Sequence, residues 1–418
     1  MADPDFADFG RRDAILCPNR RVFLAGATSL TAALMMPRIA SAAGARDPRL
    51  VVVILRGALD GLSAVPPVGD PTYESLRPDI AIKQAGPKPA LPLDGAFALN
   101  PALARLHAMV KRGEALVVHA AANGYRERSH FDGQDALENG TVSKTLDTGW
   151  LNRAMAELPS AGRVAPASGL GIGATVPLIL RGPSPVVSWI PPKLDAAKDD
   201  TIDRLAALYA ARDPELSRAF EAGVEIDRMA NVGGGMAVTD APGVKRLRQG
   251  FVSLAQGAAR LMASPDGPRV AALSYDGWDT HVKEGSSDGR LAGLLGALDL
   301  ALDTLRTGLG EAWKDTAVAV VTEFGRTARE NGADGTDHGT GTVAFLLGGA
   351  VMGGRVIADW PGLKDSQLLD GRDLAPTTDL RAVLKGVLSD HLGLSAATLA
   401  EKVFPGSENV KPYQGLIV

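Results

Sequence analysis

Two apolar runs with an amphipathic helix between them constrain this chain more than anything else in it. Arg269–Ser274 and Thr316–Thr322 have the length and β-branched content of buried strands. Between them, Leu291, Leu294, Leu295, Leu298, Leu302 and Leu305 recur at helical spacing, so Gly289–Thr307 reads as a helix. Gly308 and Gly310 lie just beyond it as stop signals. A strand–helix–strand unit of this kind builds parallel sheets. Three more apolar runs, Arg49–Leu55, Ala115–Ala121 and Val343–Leu347, would extend the same sheet. Strands apolar on both sides need cover on both faces. The expected architecture is therefore α/β, a three-layer α/β/α arrangement around a mostly parallel central sheet.

Polar residues crowd the ends of these runs, where open α/β sheets bind their ligands. After the first run comes Asp60, with Gly61 beside it, which taken alone reads as a turn carboxylate. After the run ending at Ser274 come Asp279 and His281. Two apart in extended chain, they point to one side and can reach one ion. After Thr322 come Glu323 and Arg326, then a polar loop that ends in Asp337 and His338. Ser129, with Asp132 three residues on, resembles a capping box at the start of a helix through Glu138. A hydroxyl at a helix N-terminus also suits a nucleophile that attacks an anionic ester, and His130 stands beside it. His107 and His391 read as packed histidines, while His119 is open to either reading.

Composition removes several classes. The net charge of -4 and the lack of a basic stripe argue against nucleic acid as a partner. The single cysteine, Cys17, leaves the rest of the chain without thiolate ligands, disulfides or a cysteine nucleophile. Gly169, Gly171 and Gly173 have the wrong spacing for a dinucleotide loop, and no helix follows them. Redox chemistry is thereby the weakest of the functional readings.

The N-terminus reads as an address. Asn19-Arg20-Arg21-Val22-Phe23-Leu24 resembles a twin-arginine export signal, followed by a weakly apolar stretch to Met36 and a small-residue cleavage site at Ala40-Ser41-Ala42. Residues 1–43 are expected to be removed by that route, in partnership with the twin-arginine export machinery. Residues 44–418 would then form a single domain, with no stable membrane insertion and a periplasmic or secreted location. Thr201–Ala230 and Pro242–Met262 read as helices of an insertion at about 195–265, with Asn231–Gly235 as the break.

Taken in order, several segments resemble one family: Leu50–Gly61, Ser129-His130-Phe131, Gly277–His281, Thr322–Arg326, Gly335–Gly339 and Asp370–Asp379. The chain is identified as a member of the exported bacterial family called domain of unknown function 1501 (DUF1501), grouped with the alkaline-phosphatase-like superfamily. That resemblance implies divalent ions at the strand ends with a Ser or Thr nucleophile between them. Carried over, Asp60 and Glu323 would serve one ion and Asp279, His281 and His338 the other, with Ser129 as nucleophile. The superfamily usually has Asp-His-Gly where this chain has Glu323-Phe324-Gly325. Either His130 or Asp337 takes the missing place, or the second ion is absent. Carboxylate and imidazole without thiolate suit Zn, Mn, Mg or Ca. Arg326, with Arg56 or Arg128, would clamp a phosphate or sulfate. The resulting expectation is a metal-dependent hydrolase acting on a small-molecule or glycan ester. Its alternative is a non-catalytic envelope or polysaccharide-binding protein on a degenerate hydrolase fold.

Overall fold

A run such as Leu50-Val-Val-Val-Ile-Leu55 has no polar face, so a strand made from it must be covered on both sides. The computed structural model describes residues 46–142, 146–158, 169–173, 175–191, 199–231 and 244–418. The expected leader with Cys17, and most of the break after Asn231, lie outside them.

The strands in chain order are β1 (Arg49–Arg56), β2 (Leu91–Pro92), β3 (Ala98–Leu99), β4 (Ala115–Ala122), β5 (Gly169–Ile172) and β6 (Val186–Trp189). They continue with β7 (Val270–Asp276), β8 (Thr316–Thr322), β9 (Thr342–Leu347), β10 (Val356–Ile357) and β11 (Thr378–Asp379). Apart from the small β2–β3 hairpin, they form one sheet in the order β10-β4-β9-β8-β1-β7-β5-β6, with β11 also paired to β4. Every pairing in that sheet is parallel except those of β9, which runs antiparallel to both β4 and β8. The exception has a local cause. Residues 323–341 contain no helix to carry the chain back across the sheet, so β9 returns beside β8 in the opposite direction.

The sheet is filled on both faces. The helices that matter here are α1 (Gly61–Ala64), α2 (Ala104–Lys111), α3 (His130–Asn139), α4 (Trp150–Ala156), α5 (Asp199–Arg212), α6 (Pro214–Asn231), α7 (Val244–Ala263), α8 (Arg290–Leu309) and α9 (Leu380–Leu392). Val51, Val53 and Leu55 of β1 face one core with Leu106 of α2, Ala258 of α7 and Leu298 of α8. Leu50, Val52 and Ile54 face the other, with Leu151 of α4 and Leu384 of α9. The expected three layers are present, and residues 47–418 cluster as one compact unit.

Two local features depart from what apolar patterning suggests. The apolar stretch Val176–Leu180 is not a strand: Pro177 has no N–H for a ladder, and Leu178–Leu180 forms a 3-10 turn. The strand is Gly169–Ile172 instead, where the missing side chain of Gly169 leaves room for the Met155 thioether and Val186. The helix expected over 201–230 is two helices. Asp213 accepts from the Glu215 and Leu216 amides, and Pro214 starts the second one at a position where no N–H is needed.

Candidate metal centre

Strand direction decides what meets here. β1, β4, β7 and β8 all end at one edge of the sheet and release Gly57, Asn123, Gly277 and Glu323 there. The antiparallel β9 begins at that same edge, so the loop before it brings Asp337 and His338 to the place where the other strands stop. His130 arrives from the loop after β4, at the first position of α3. Trp278, fully buried and donating its indole N–H to the Tyr275 carbonyl at 2.9 Å, anchors the turn that carries Asp279 and His281.

Three of the six histidines converge. The His338 Nε2 lies 2.9 Å from His130 Nε2 and 2.9 Å from His281 Nε2. Asp279 adds its carboxylate, with Oδ1 at 3.0 Å from His281 Nε2 and 3.4 Å from His338 Nε2, and Oδ2 at 3.5 Å from His130 Nε2. The other nitrogen of each ring faces an acceptor. His130 Nδ1 is 2.8 Å from Glu323 Oε1, His338 Nδ1 is 2.9 Å from the Arg128 carbonyl, and His281 Nδ1 is 3.3 Å from Asp337 Oδ1. A carbonyl or carboxylate oxygen can only accept, so each neutral ring keeps its hydrogen on Nδ1. Three lone pairs then point at one another. Neutral rings cannot satisfy those Nε2 contacts; a proton or a cation between them can.

The electrostatics say the same thing. The His130 imidazole is held above its usual pKa, first by the hydrogen bond to Glu323, whose charge outlasts the burial cost. His338 is pushed down, first by burial and then by the charges of His130 and Arg326. Burial raises the Asp279 carboxyl, but the hydrogen bond and charge of Arg326 outweigh it and leave it below the usual range. The cluster is arranged for one positive charge shared among its donors. Among the described residues, His130, Asp279 and His338 also meet the spacing of a cation site.

The remaining expected residues fall around this cluster in other roles. Glu323 is fully buried, and its Oε1 receives the Gly57 amide at 2.8 Å and the Gln134 amide at 3.1 Å as well as His130. With that oxygen occupied, Glu323 orients the His130 ring and is not placed as a ligand. Asp337 likewise orients His281, held by Asn331 at 3.1 Å. Asp60 departs furthest from expectation. Both its oxygens lie 2.9 Å from Arg77 Nη1, and it caps α1 through the Ser63 amide. Its carboxylate is neutralised by a buried arginine and so is not available to a second ion.

Arg326 is also committed. It is buried, its Nη1 is 2.6 Å from Asp279 Oδ1, and its other nitrogens bond Thr336. It positions Asp279 and does not reach outward to an anion. Arg56 is engaged by Glu138, and Arg128 by Asp373. Ser129 is the N-cap residue of α3, but its side chain makes no cap hydrogen bond, so the expected capping box does not form. Its amide donates to the Tyr125 hydroxyl at 3.1 Å.

The other three histidines serve the core. His107 Nε2 meets the Pro92 carbonyl and His391 Nε2 the Arg49 carbonyl. His119 stacks on Phe97, its pKa lowered to about 4 by burial. Gln134 was not singled out by the sequence, although at i+4 from His130 it shares that residue's helix face.

Among solved structures, the chain is similar to the phosphonate monoester hydrolase of Agrobacterium radiobacter, at 13% identity and a TM-score of 0.31 over 82% of this chain and 74% of that one. It is similar to a 2-O GAG sulfatase at 12% identity and a TM-score of 0.36, over 89% and 76%. It is also similar to the C-terminal periplasmic domain of EcEptC from Escherichia coli, solved as a complex with Zn, at 10% identity and a TM-score of 0.29 over 73% of each chain. No curated protein matches the sequence. The model of the family described as protein of unknown function (DUF1501) matches residues 47–403, and the chain belongs to that family.

Proposed function

We propose that this protein is an exported hydrolase of phosphate or sulfate esters that works with one divalent cation. His130, His281 and His338 would hold it through Nε2, and Asp279 through its carboxylate. The observation that carries this reading is the set of three imidazole lone pairs directed at one another, each fixed by an acceptor behind its ring. Three nitrogens and one carboxylate suit Zn or Mn better than Mg or Ca, which prefer oxygen. A cation there would act as a Lewis acid on the charge that builds on the ester oxygens.

The chain's own residues do the rest. Glu323, Asp337 and the Arg128 carbonyl keep the imidazole hydrogens on the outer nitrogens. Arg326 holds Asp279 ionised and aimed inward. Ser129, one residue before His130 with its hydroxyl uncommitted to the helix cap, is the proposed nucleophile. Its Oγ would displace the alcohol, which leaves with the proton that Ser129 gives up. Water would then release phosphate or sulfate and restore the hydroxyl. With Asp60 locked to Arg77, the reading is for one ion and not two. The substrate would be a small-molecule or glycan ester met in the periplasm after twin-arginine export. No helix among the described residues is long and apolar enough to cross a membrane.

A second reading, a cation-holding protein without turnover, is favoured by one observation: Arg56, Arg128 and Arg326 are all engaged by carboxylates. Hydrolysis of p-nitrophenyl phosphate and p-nitrophenyl sulfate, with Zn or Mn and after chelation, separates the two. The first reading predicts turnover that chelation abolishes and that Ser129→Ala lowers by about 10³-fold or more. A tightly bound cation with no turnover on either ester would support the second.

A further inference from the structure

Glu284 is fully buried and lies outside the donor cluster, yet one of its oxygens touches two of the three loops that build the cluster. The Thr280 hydroxyl donates to Glu284 Oε2 at 2.8 Å and the Thr336 hydroxyl to the same oxygen at 2.9 Å. Thr280 sits between Asp279 and His281, and Thr336 stands two residues before His338. All three of these polar side chains are shut off from solvent. Thr336 also lies 3.2 Å from Arg326 Nε, the arginine that grips Asp279. A hydroxyl that accepts from a guanidinium must send its own hydrogen elsewhere, and Glu284 is where it goes.

Resting on the metal reading above, we propose that Glu284 is a positioning residue: its carboxyl clamps the 279–281 loop to the 336–338 loop and thereby sets the affinity of the cluster for its cation. The backbone around the clamp is zipped in the same sense. Thr336 donates to the Thr280 carbonyl at 3.2 Å, Lys283 to Ala333 at 2.9 Å and Glu284 to Asp334 at 2.8 Å. Gly335 allows this approach, since a Cβ there would lie 2.3 Å from the His281 carbonyl oxygen. An acceptor is needed at this spot because two buried hydroxyls left unpaired would each be costly. A full negative charge is not needed. Burial, and then the charge of Asp60, push the Glu284 carboxyl above its ordinary range. An uncharged amide oxygen therefore serves the clamp as well.

Three full-length variants test this: Glu284→Met, which fills the space without an acceptor, Glu284→Gln, which keeps one, and Thr336→Val, which removes one of the two donors. Zinc alone is titrated against a competing chromophoric chelator. In parallel, hydrogen exchange is followed on the metal-free proteins at the amides of Lys283, residue 284 and Thr336. The clamp predicts zinc binding weakened about 10- to 100-fold in Glu284→Met and faster exchange at those amides, with β1 and β8 unchanged and Glu284→Gln close to wild type. Should Glu284→Met not fold, Thr336→Val carries both readouts. A folded variant without the acceptor or donor that keeps wild-type zinc affinity and wild-type exchange overturns the proposal. Lost stability with unchanged zinc affinity overturns it too, as a purely structural role. If the wild-type chain binds no zinc, the metal reading fails and takes the affinity claim with it, whereas the exchange arm still decides whether Glu284 joins the loops.

Discussion

What stands behind a histidine decides whether its free nitrogen can take a cation, and His130 has such a partner in Glu323. Glu323 takes the Nδ1 hydrogen, which frees Nε2 and fixes the ring plane. Replacing Glu323 with Gln should therefore weaken zinc binding by about 10- to 100-fold although Glu323 is not placed as a ligand. Competition titration checks this, and unchanged affinity would leave Glu323 without that role. The same pair makes the metal-free protein sensitive to pH. His130 is raised above its ordinary 6.5, so its contribution is complete below 6.5 and fades as pH climbs through the folded value. Glu323 is lowered from 4.5, despite burial that works the other way, so its contribution holds above 4.5 and fades as pH falls through the folded value. The urea midpoint gap between wild type and His130→Ala, both metal-free, should then be widest between 4.5 and 6.5. A gap that keeps widening above that window would contradict the assignment.

The elements matter here for where they end. Had β9 been parallel to β8, its first residues would lie at the opposite edge of the sheet and His338 could not join His281. The sequence announced β9 as an apolar run and His338 as the end of a polar loop, but its direction could be inferred only from the missing crossover helix. Close backbone approach was equally hidden. Gly57 adopts a φ of +119°, and a Cβ there would lie 2.6 Å from the Asp279 amide nitrogen, because β1 and β7 release their loops side by side. Gly57→Ala should cost on the order of 2 kcal/mol in unfolding free energy, from positive-φ strain and that clash together. Chemical denaturation measures it, and a loss below about 0.5 kcal/mol would mean the loops yield easily. Asp60 shows the limit of strand-end logic. The position was right, but nothing in the local sequence announced that Arg77 would arrive there from a later turn.

At the scale of the whole molecule, the layered fold was legible because its signals are local: buried runs, one clear helical stripe, and the order in which they alternate. Asp279, His281, His338 and His130, which meet in the cluster, were marked by position, whereas the contacts that engage Arg326, expected as an anion clamp, and Glu323, expected as a ligand, are ones that no spacing reveals. A cation held by His130, the 279–281 loop and His338 would also tie three separated segments to one another. Zinc at 100 times its dissociation constant should raise unfolding stability by ~2.7 kcal/mol, and chelation should remove that gain. Stability indifferent to zinc would count against a site of this kind. The most direct measurement is metal content and zinc X-ray absorption on the full-length protein, beside His281→Ala and His338→Ala. One zinc per chain is expected, in a nitrogen-rich shell of three imidazoles and reduced in both variants. Absence of stoichiometric zinc from the wild type, or equal zinc in all three proteins, would contradict it.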